Sequence, residues 1–213
     1  MREARKMDIT CIGHSGFLVE LPDYNLIFDY FTDKTGVITA DVFKNKNTAV
    51  FVSHNHSDHY NTKIFGWSKW GNTAYILDGG CNVPERTDSK IIMVGEGDDF
   101  DIFGGGVKIK TYGSTDEGVS FLATAGDYVI FHAGDLNDWY WEDESTPGEL
   151  IEYEENYLRI IRRLAGRRID AAFIPEDPRL GKNAGRGIQF FREIVAPVRI
   201  IPMHFPGNDG VKY

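Results

Sequence analysis

Short apolar runs, some alternating with polar residues and some continuous, are separated by turn-forming clusters along most of the chain, and this pattern predicts a protein built largely of strands. Residues 8–21 alternate, with Ile9, Cys11, Phe17, Val19 and Leu21 in one phase, and Gly13-His14-Ser15-Gly16 interrupts them as the turn of a hairpin. A second turn at Leu21-Pro22-Asp23-Tyr24-Asn25 leads into a strand, Leu26-Ile27-Phe28, that ends at Asp29, so the opening is an antiparallel meander. Residues 31–48 are polar and irregular. The run Ala49-Val50-Phe51-Val52 then reads as a buried strand, and residues 62–70 as a short helix with Ile64, Phe65 and Trp67 on its apolar side. Further strands are expected at 73–77 and 90–94, with a hairpin over 100–111 that turns at Gly104-Gly105-Gly106.

The second half brings helices. Residues 147–166 place Leu150, Ile151, Tyr157, Leu158, Ile161 and Leu164 on one stripe, with Glu149, Glu152, Glu154 and Glu155 early and Arg159, Arg162 and Arg163 late, an order that suits the helix dipole. The arginines read as a solvated face, with a nucleic-acid patch as the alternative. A strand at 169–174, a helix at 187–195 and a strand at 198–201 complete a βαβ rhythm typical of a mixed sheet covered by helices. Moving 104 positions forward also pairs Phe17-Leu18 with Phe121-Leu122, Asp23-Tyr24 with Asp127-Tyr128 and Leu26-Ile27 with Ile130-Phe131. That self-similarity suggests two related halves, or else a chance match of two hairpins.

Composition narrows the class. A chain of 213 residues is one large domain or two small ones, long enough for a substantial core, and a formal charge of −9 disfavours nucleic acid or an anionic membrane as the main partner, because both need a positive footprint. Cys11 and Cys81 lack CxxC spacing, and Met1-Arg2-Glu3-Ala4-Arg5-Lys6 has no apolar signal-peptide core, so a reduced cytoplasmic setting is expected. No apolar run is long enough to span a membrane.

The chemistry concentrates in Ser53-His54-Asn55-His56-Ser57-Asp58-His59-Tyr60-Asn61, where three of the six histidines fall within six positions directly after a buried strand. On extended backbone, His54 and His56 project to one side, within reach of one ion, while Asp58 and His59 turn the other way and can hold a second. Two more strand ends carry ligand types. Tyr128-Val129-Ile130-Phe131-His132-Ala133-Gly134-Asp135 ends in Gly-Asp, and Val198-Arg199-Ile200-Ile201-Pro202-Met203-His204 ends in His. Each alone is an ordinary turn; together with the histidine loop they favour a dinuclear metal site.

His54-x-His56-x-Asp58-His59 after a buried strand resembles the signature of the metallo-β-lactamase superfamily of metal-dependent hydrolases, and within it the UlaG-like (ascorbate-phosphate lactonase-like) branch. The resemblance implies an α/β fold, a four-layer αβ/βα sandwich of two mixed sheets flanked by helices, spanning 1–213 as a single domain. It implies His54 and His56 as ligands of one metal, Asp58, His59 and His204 as ligands of the other, and Asp135 as the bridge. The family normally takes a third histidine for the first metal from the loop that here reads Tyr112-Gly113-Ser114-Thr115-Asp116-Glu117-Gly118, which has none. Asp116, Ser114 or water fills that position, or only the second position holds metal.

His14, in Gly-His-Ser-Gly, is similar to a Gly-His pair of UlaG-like sequences; it faces substrate, hydrogen-bonds a ligand, or simply shapes the turn. Asp29 resembles a family aspartate that braces the histidine loop from behind. His132 is expected to pack or hydrogen-bond, and Trp139, Tyr140 and Trp141 either wall the pocket or pack. Mixed imidazole and carboxylate ligands suit zinc, one or two ions, with manganese or iron as alternatives. The expected activity is hydrolysis of a small ester, lactone or phosphoester by metal-activated water, with Asp58 as the catalytic residue. No Gly-x-Ser-x-Gly elbow competes. The other reading from these residues is a non-catalytic or mono-metal binding member of the same fold; a nuclease and an iron oxidoreductase rank behind it. Loops 31–47, 79–89 and 136–148 are expected to set specificity.

Overall fold

The computed structural model describes residues 6–85 and 89–213. Residues 1–5, part of the stretch read for a leader, and 86–88, in one specificity loop, lie outside the described residues. The chain divides into two compact units, one formed by Met1–Met93 with Pro206–Tyr213 and the other by Val94–Phe205.

The first unit is a six-stranded sheet in the order β1 (Asp8–Gly13), β2 (Gly16–Glu20), β3 (Tyr24–Phe28), β4 (Asn47–Val52), β5 (Thr73–Asp78), β6 (Lys90–Val94), the last strand ending one residue past the unit. The first three strands pair antiparallel as the expected meander, and β3, β4 and β5 run parallel. Parallel strands covered on both faces read as continuous apolar runs, and β4 does so: Ala49, Val50, Phe51 and Val52 are all fully buried. On one face Ile12, Leu18, Ile27, Val50, Val52, Tyr75 and Leu77 pack with Phe43, Ile64, Phe65 and Trp67. On the other, Phe28 stacks on Phe51 with centroids 4.6 Å apart. The helix expected near 62 forms over Thr62–Lys69 with the predicted Ile64, Phe65 and Trp67 buried, but as a 3-10 helix. Asn61 caps it, and the Tyr75 hydroxyl donates to the Ile64 carbonyl at 2.9 Å. The chain end returns to β1, where Cys11 N–H donates to Val211 and Tyr213 N–H to Ile9.

The second unit is a sheet in the order β12 (Ile200–Met203), β11 (Ala171–Pro175), β10 (Tyr128–His132), β9 (Ser120–Ala125), β8 (Val107–Tyr112), β7 (Asp99–Ile102). Strands β7 to β10 pair antiparallel, and β10, β11 and β12 run parallel. Helices α1 (Pro147–Ile161) and α2 (Arg186–Ile194) belong to this unit; Phe191 of α2 stacks on Phe131 of β10 at 5.2 Å, and the Tyr157 hydroxyl of α1 donates to Gly187 O at 2.8 Å. Thr146 and Glu149 form a capping box with Pro147 in the first turn, which explains where α1 begins.

The 104-residue repetition is a repetition of structure. Leu18 pairs with Ile27 between β2 and β3, and 104 positions on Leu122 pairs with Phe131 between β9 and β10. Each sheet continues from that hairpin into two further parallel strands. Three details differ from the sequence pattern. Ile151 is 60% exposed, and Ile160 takes a buried place instead; at about 100° per residue, Ile151 lies some 120° off the face set by Tyr157. Residues 162–164 tighten into a 3-10 turn that ends the helix early, with Arg163 paired to Glu96 and lying over the Tyr112 ring. The last strand runs two residues further than expected, through Pro202, while Val198 is 76% exposed. The carbonyls of Arg199 and Met203 accept bonds from the β11 side, so by alternation the ring nitrogen of Pro202 faces away from β11, the one side on which a missing N–H costs no ladder bond.

Two measurements test this core. Phe51→Ala should lower unfolding free energy by about 3–5 kcal/mol in urea titrations, because the stacked pair with Phe28 leaves a cavity. Burial pushes the Cys11 thiol up to about 11 and, with the nearby Asp78 carboxylate, the Cys81 thiol up to about 12. At pH 8 fewer than roughly one thiol in a thousand is thiolate, so iodoacetamide should label the folded protein negligibly and both cysteines in denaturant.

Candidate metal centre

In the first unit, β4 delivers the histidine loop from a fully buried strand end. Past the strand the chain bends at Asn55 and folds into a turn in which His59 and Tyr60 N–H groups donate to the His56 carbonyl, at 3.1 and 3.0 Å. His54 and His59 are buried, Asp58 is half-buried and His56 is exposed. Behind the loop sits Asp29, fully buried, one residue past β3. Its carboxylate accepts Ser53 N–H at 2.7 Å, the Ser53 hydroxyl at 2.6 Å and His59 Nδ1 at 2.8 Å. Asp29 thus bonds the histidine loop through two of its residues, Ser53 and His59.

These bonds set the tautomers. With its Nδ1–H given to Asp29, His59 has Nε2 as the nitrogen left for a further partner; His54 gives Nδ1–H to Ser53 Oγ at 2.9 Å and presents Nε2 beside His56 Nδ1 at 3.0 Å. Burial, and then the neighbouring His59 ring, push the His54 imidazole down to about 4, so it is a neutral nitrogen donor at neutral pH. The His14 ring, 3.3 Å from Asp58 by Nε2 to Oδ2, holds the Asp58 carboxyl well below the usual carboxylate range. One ligand atom from each of His14, Asp58 and His59 lies within 4.8 Å of the others, as does one from each of His54 and His56.

In the second unit, β10 ends at His132, and Gly134, with φ 58°, turns the chain so that Asp135 follows buried. His132 itself is buried, accepts Gly134 N–H on Nδ1 at 3.1 Å and packs near Phe173. His204 follows β12; its Nε2 lies 3.5 Å from Asp135 Oδ1, and its Nδ1 bonds to Asp177 Oδ2 at 3.0 Å. Asp177 caps the short helix Pro178–Asn183 and is gripped by Arg179 through the Arg179 backbone N–H and guanidinium. Trp139 donates Nε1–H to the Asp135 carbonyl at 3.0 Å and meets the His204 ring edge-on at 5.7 Å. Trp141 stacks on Trp139 and, with Tyr140, Glu142, Arg179, Lys182 and Asn183, lines a cleft of about 390 Å³.

Residues 112–118, where a third histidine is absent, are tied down without one. The Thr115 hydroxyl donates to the Asn137 carbonyl at 2.6 Å and accepts Asn137 N–H at 2.9 Å; Ser114 Oγ accepts Asp116 N–H, and Asp116 is exposed. Sequence reasoning missed Asp177 and Arg179. The available signal was Asp177-Pro178, an N-cap followed by proline just after a buried strand.

The donor chemistry suits a divalent cation. His59 and His204 are each oriented by a carboxylate on Nδ1, an arrangement characteristic of metal-binding histidines, and His54 is neutral while Asp58 is ionised. Because Asp29 carries three bonds to the histidine loop, Asp29→Asn, which removes charge at nearly constant shape and tolerates the local φ of 42°, should lower the stability of the metal-free protein by about 3–5 kcal/mol, read from urea unfolding.

Residues 8–145, more than half of the chain, match the family model described as the beta-lactamase superfamily domain. Among curated proteins the chain is similar to a "UPF0173 metal-dependent hydrolase" of Carboxydothermus hydrogenoformans, 29% identical over 147 residues, which are 63% of this chain and 64% of that protein; the match thus spans less than two thirds of that relative's length. Among solved structures it resembles Igni18, a metallo hydrolase from Ignicoccus hospitalis, with a TM-score of 0.63, 16% identity and coverage of 93% of this chain and 82% of the other. CmlA, a diiron beta-hydroxylase from Streptomyces venezuelae, matches with a TM-score of 0.63 and 10% identity over 95% of this chain and 45% of its own. These structural likenesses show the fold, the α/β metallo-β-lactamase sandwich with its two mixed sheets. With the family model covering both the histidine loop and the Gly-Asp turn, the chain belongs to the β-lactamase superfamily.

Proposed function

We propose that the protein is a metal-dependent hydrolase of the UlaG-like kind, using zinc at one or two positions and acting on a small ester, lactone or phosphoester. The whole of 1–213 serves as one metallo-β-lactamase-like domain, in a reducing, cytoplasmic setting that suits two buried free thiols. Its metal ligands are His54, His56, Asp58, His59, Asp135 and His204, and Asp58 is also the catalytic residue. The observation that carries this reading is the Asp29 brace, which orients His59 and, through Ser53, His54, as donors. The −9 charge favours a small-molecule substrate over nucleic acid, and the similarity to a metal-dependent hydrolase of Carboxydothermus hydrogenoformans supports hydrolysis.

A bound divalent ion supplies Lewis acidity, lowering the pKa of water and polarising the oxygen of the scissile group. The residues supply everything around that. His54 offers a nitrogen lone pair without first losing a proton, His59 is oriented as a second nitrogen donor by Asp29 on its Nδ1, and Asp58, held ionised and half-exposed, accepts a hydrogen bond from the attacking water and orients it. Asp177 on Nδ1 and the Trp139 ring at its edge limit the rotation of His204, and Trp139 also bonds the backbone carbonyl of Asp135. Among the described residues no helix is long and apolar enough to cross a membrane.

Elemental analysis of the purified protein together with ester, lactone and phosphodiester panels tests the proposal. The expected result is bound zinc and hydrolysis of at least one class, with His56→Ala lowering kcat/KM by more than about 100-fold, since this exposed residue can be removed without opening the core. Metal-free protein whose detected hydrolysis is unchanged in His56→Ala sinks it, and iron with oxygen uptake would move the protein to the oxidoreductases.

A further inference from the structure

Histidine–carboxylate contacts around the site fall into two classes. Those made through Nδ1, His59 to Asp29 and His204 to Asp177, measure 2.8 and 3.0 Å. Those made through Nε2, His14 to Asp58 and His204 to Asp135, measure 3.3 and 3.5 Å. An N–H···O hydrogen bond is about 2.7–3.2 Å long, which fits the first class. Two donors each about 2.0–2.1 Å from a tetrahedral ion stand roughly 3.3 Å apart, which fits the second. The short contacts orient imidazoles, and the long ones have the spacing of two ligands on one ion.

His14 is aimed by its backbone. It occupies the turn between β1 and β2, next to a register shift between Cys11 and Gly13, and it takes a left-handed φ of 51° that side chains rarely adopt. Such bulges and strained residues redirect side chains near functional sites. The ring meets Phe31 edge-on at 6.2 Å and His59 at 5.7 Å, and its side chain is 20% exposed. His14, Asp58 and His59 all belong to the first unit, and their ligand atoms lie within 4.8 Å of one another.

We infer that His14 is itself a metal ligand, its Nε2 sharing an ion with Asp58 and His59. The inference rests on the reading that the protein binds a divalent cation, and it alters the ligand count: a chain lacking an imidazole in residues 112–118 gains one from its first hairpin, at the position of Asp58 and His59. That position then holds the tighter ion.

The test uses the full chain loaded with cobalt(II), whose paramagnetism gives each ligating imidazole hyperfine-shifted proton resonances. His14→Asn removes the imidazole and keeps a residue that tolerates positive φ; His14→Gly, which accepts that φ without strain, is the second variant, and thermal melting of both metal-free variants checks the fold. One set of shifted imidazole resonances should disappear in each folded variant, and the cobalt dissociation constant should rise by more than about 100-fold, beyond the 10–100-fold typical of a group that only supports a ligand. A full set of shifted resonances in a folded variant overturns the inference, whatever happens to affinity, because His14 then only hydrogen-bonds Asp58. A wild-type protein that takes up no cobalt overturns it as well. Cobalt binding with no hydrolysis across the panels fails the proposed function alone, whereas active wild type with unchanged resonances in His14→Asn fails only the role of His14.

Discussion

A buried carboxylate with three donors around it is the constraint on which the candidate site depends. Asp29 is fully excluded from water, and an ionised carboxylate in that position costs several kcal/mol unless it is fully bonded. Ser53 N–H, the Ser53 hydroxyl and His59 Nδ1–H satisfy it, and the charge of the acceptor makes these bonds stronger than neutral ones. The same three bonds join the end of β3 to the loop after β4, so the parallel pairing of those strands and the orientation of the imidazoles are one arrangement. Loosening either would release the other.

Asp177 does for His204 what Asp29 does for His59, with a different source of rigidity. Asp29 is fixed by the end of a central strand, whereas Asp177 is fixed by its role as a helix cap and by the guanidinium of Arg179. His14, Asp29 and His204 also share a left-handed backbone conformation that non-glycine residues adopt at some cost. Strain of this kind persists where surrounding bonds over-determine it, and here those bonds belong to side chains with metal-ligand chemistry.

The strands were legible because burial of a sheet writes itself into local sequence: the apolar residues Ile9, Cys11, Phe17 and Val19 of β1 and β2, although Ile12 and Leu18 of the other phase are buried too, and an unbroken apolar run in β4. The matching registers of the two hairpins were legible for the same reason, since a pairing offset survives as an offset between similar residues. The histidine loop stood out because its donors are close in sequence and follow a strand. Asp177 did not, because an aspartate before proline is an ordinary cap, and its bond to His204 spans 27 positions of chain. The exposure of Ile151 was hidden for another reason. Two phases of the apolar stripe were open over the first turns of α1, and only the packing of Tyr157, Ile160 and Ile161 selects one.

Proline at position 202 carries a consequence beyond the length of β12. This strand closes one end of the second sheet, and the amide hydrogen that would greet an incoming extended segment there is replaced by a ring carbon. A foreign peptide trying to lengthen the sheet would find a gap in the donor row and a bulky pyrrolidine in its path. The border of the sheet is thus guarded against accretion by the very residue that looked, in the linear chain, like the end of a strand.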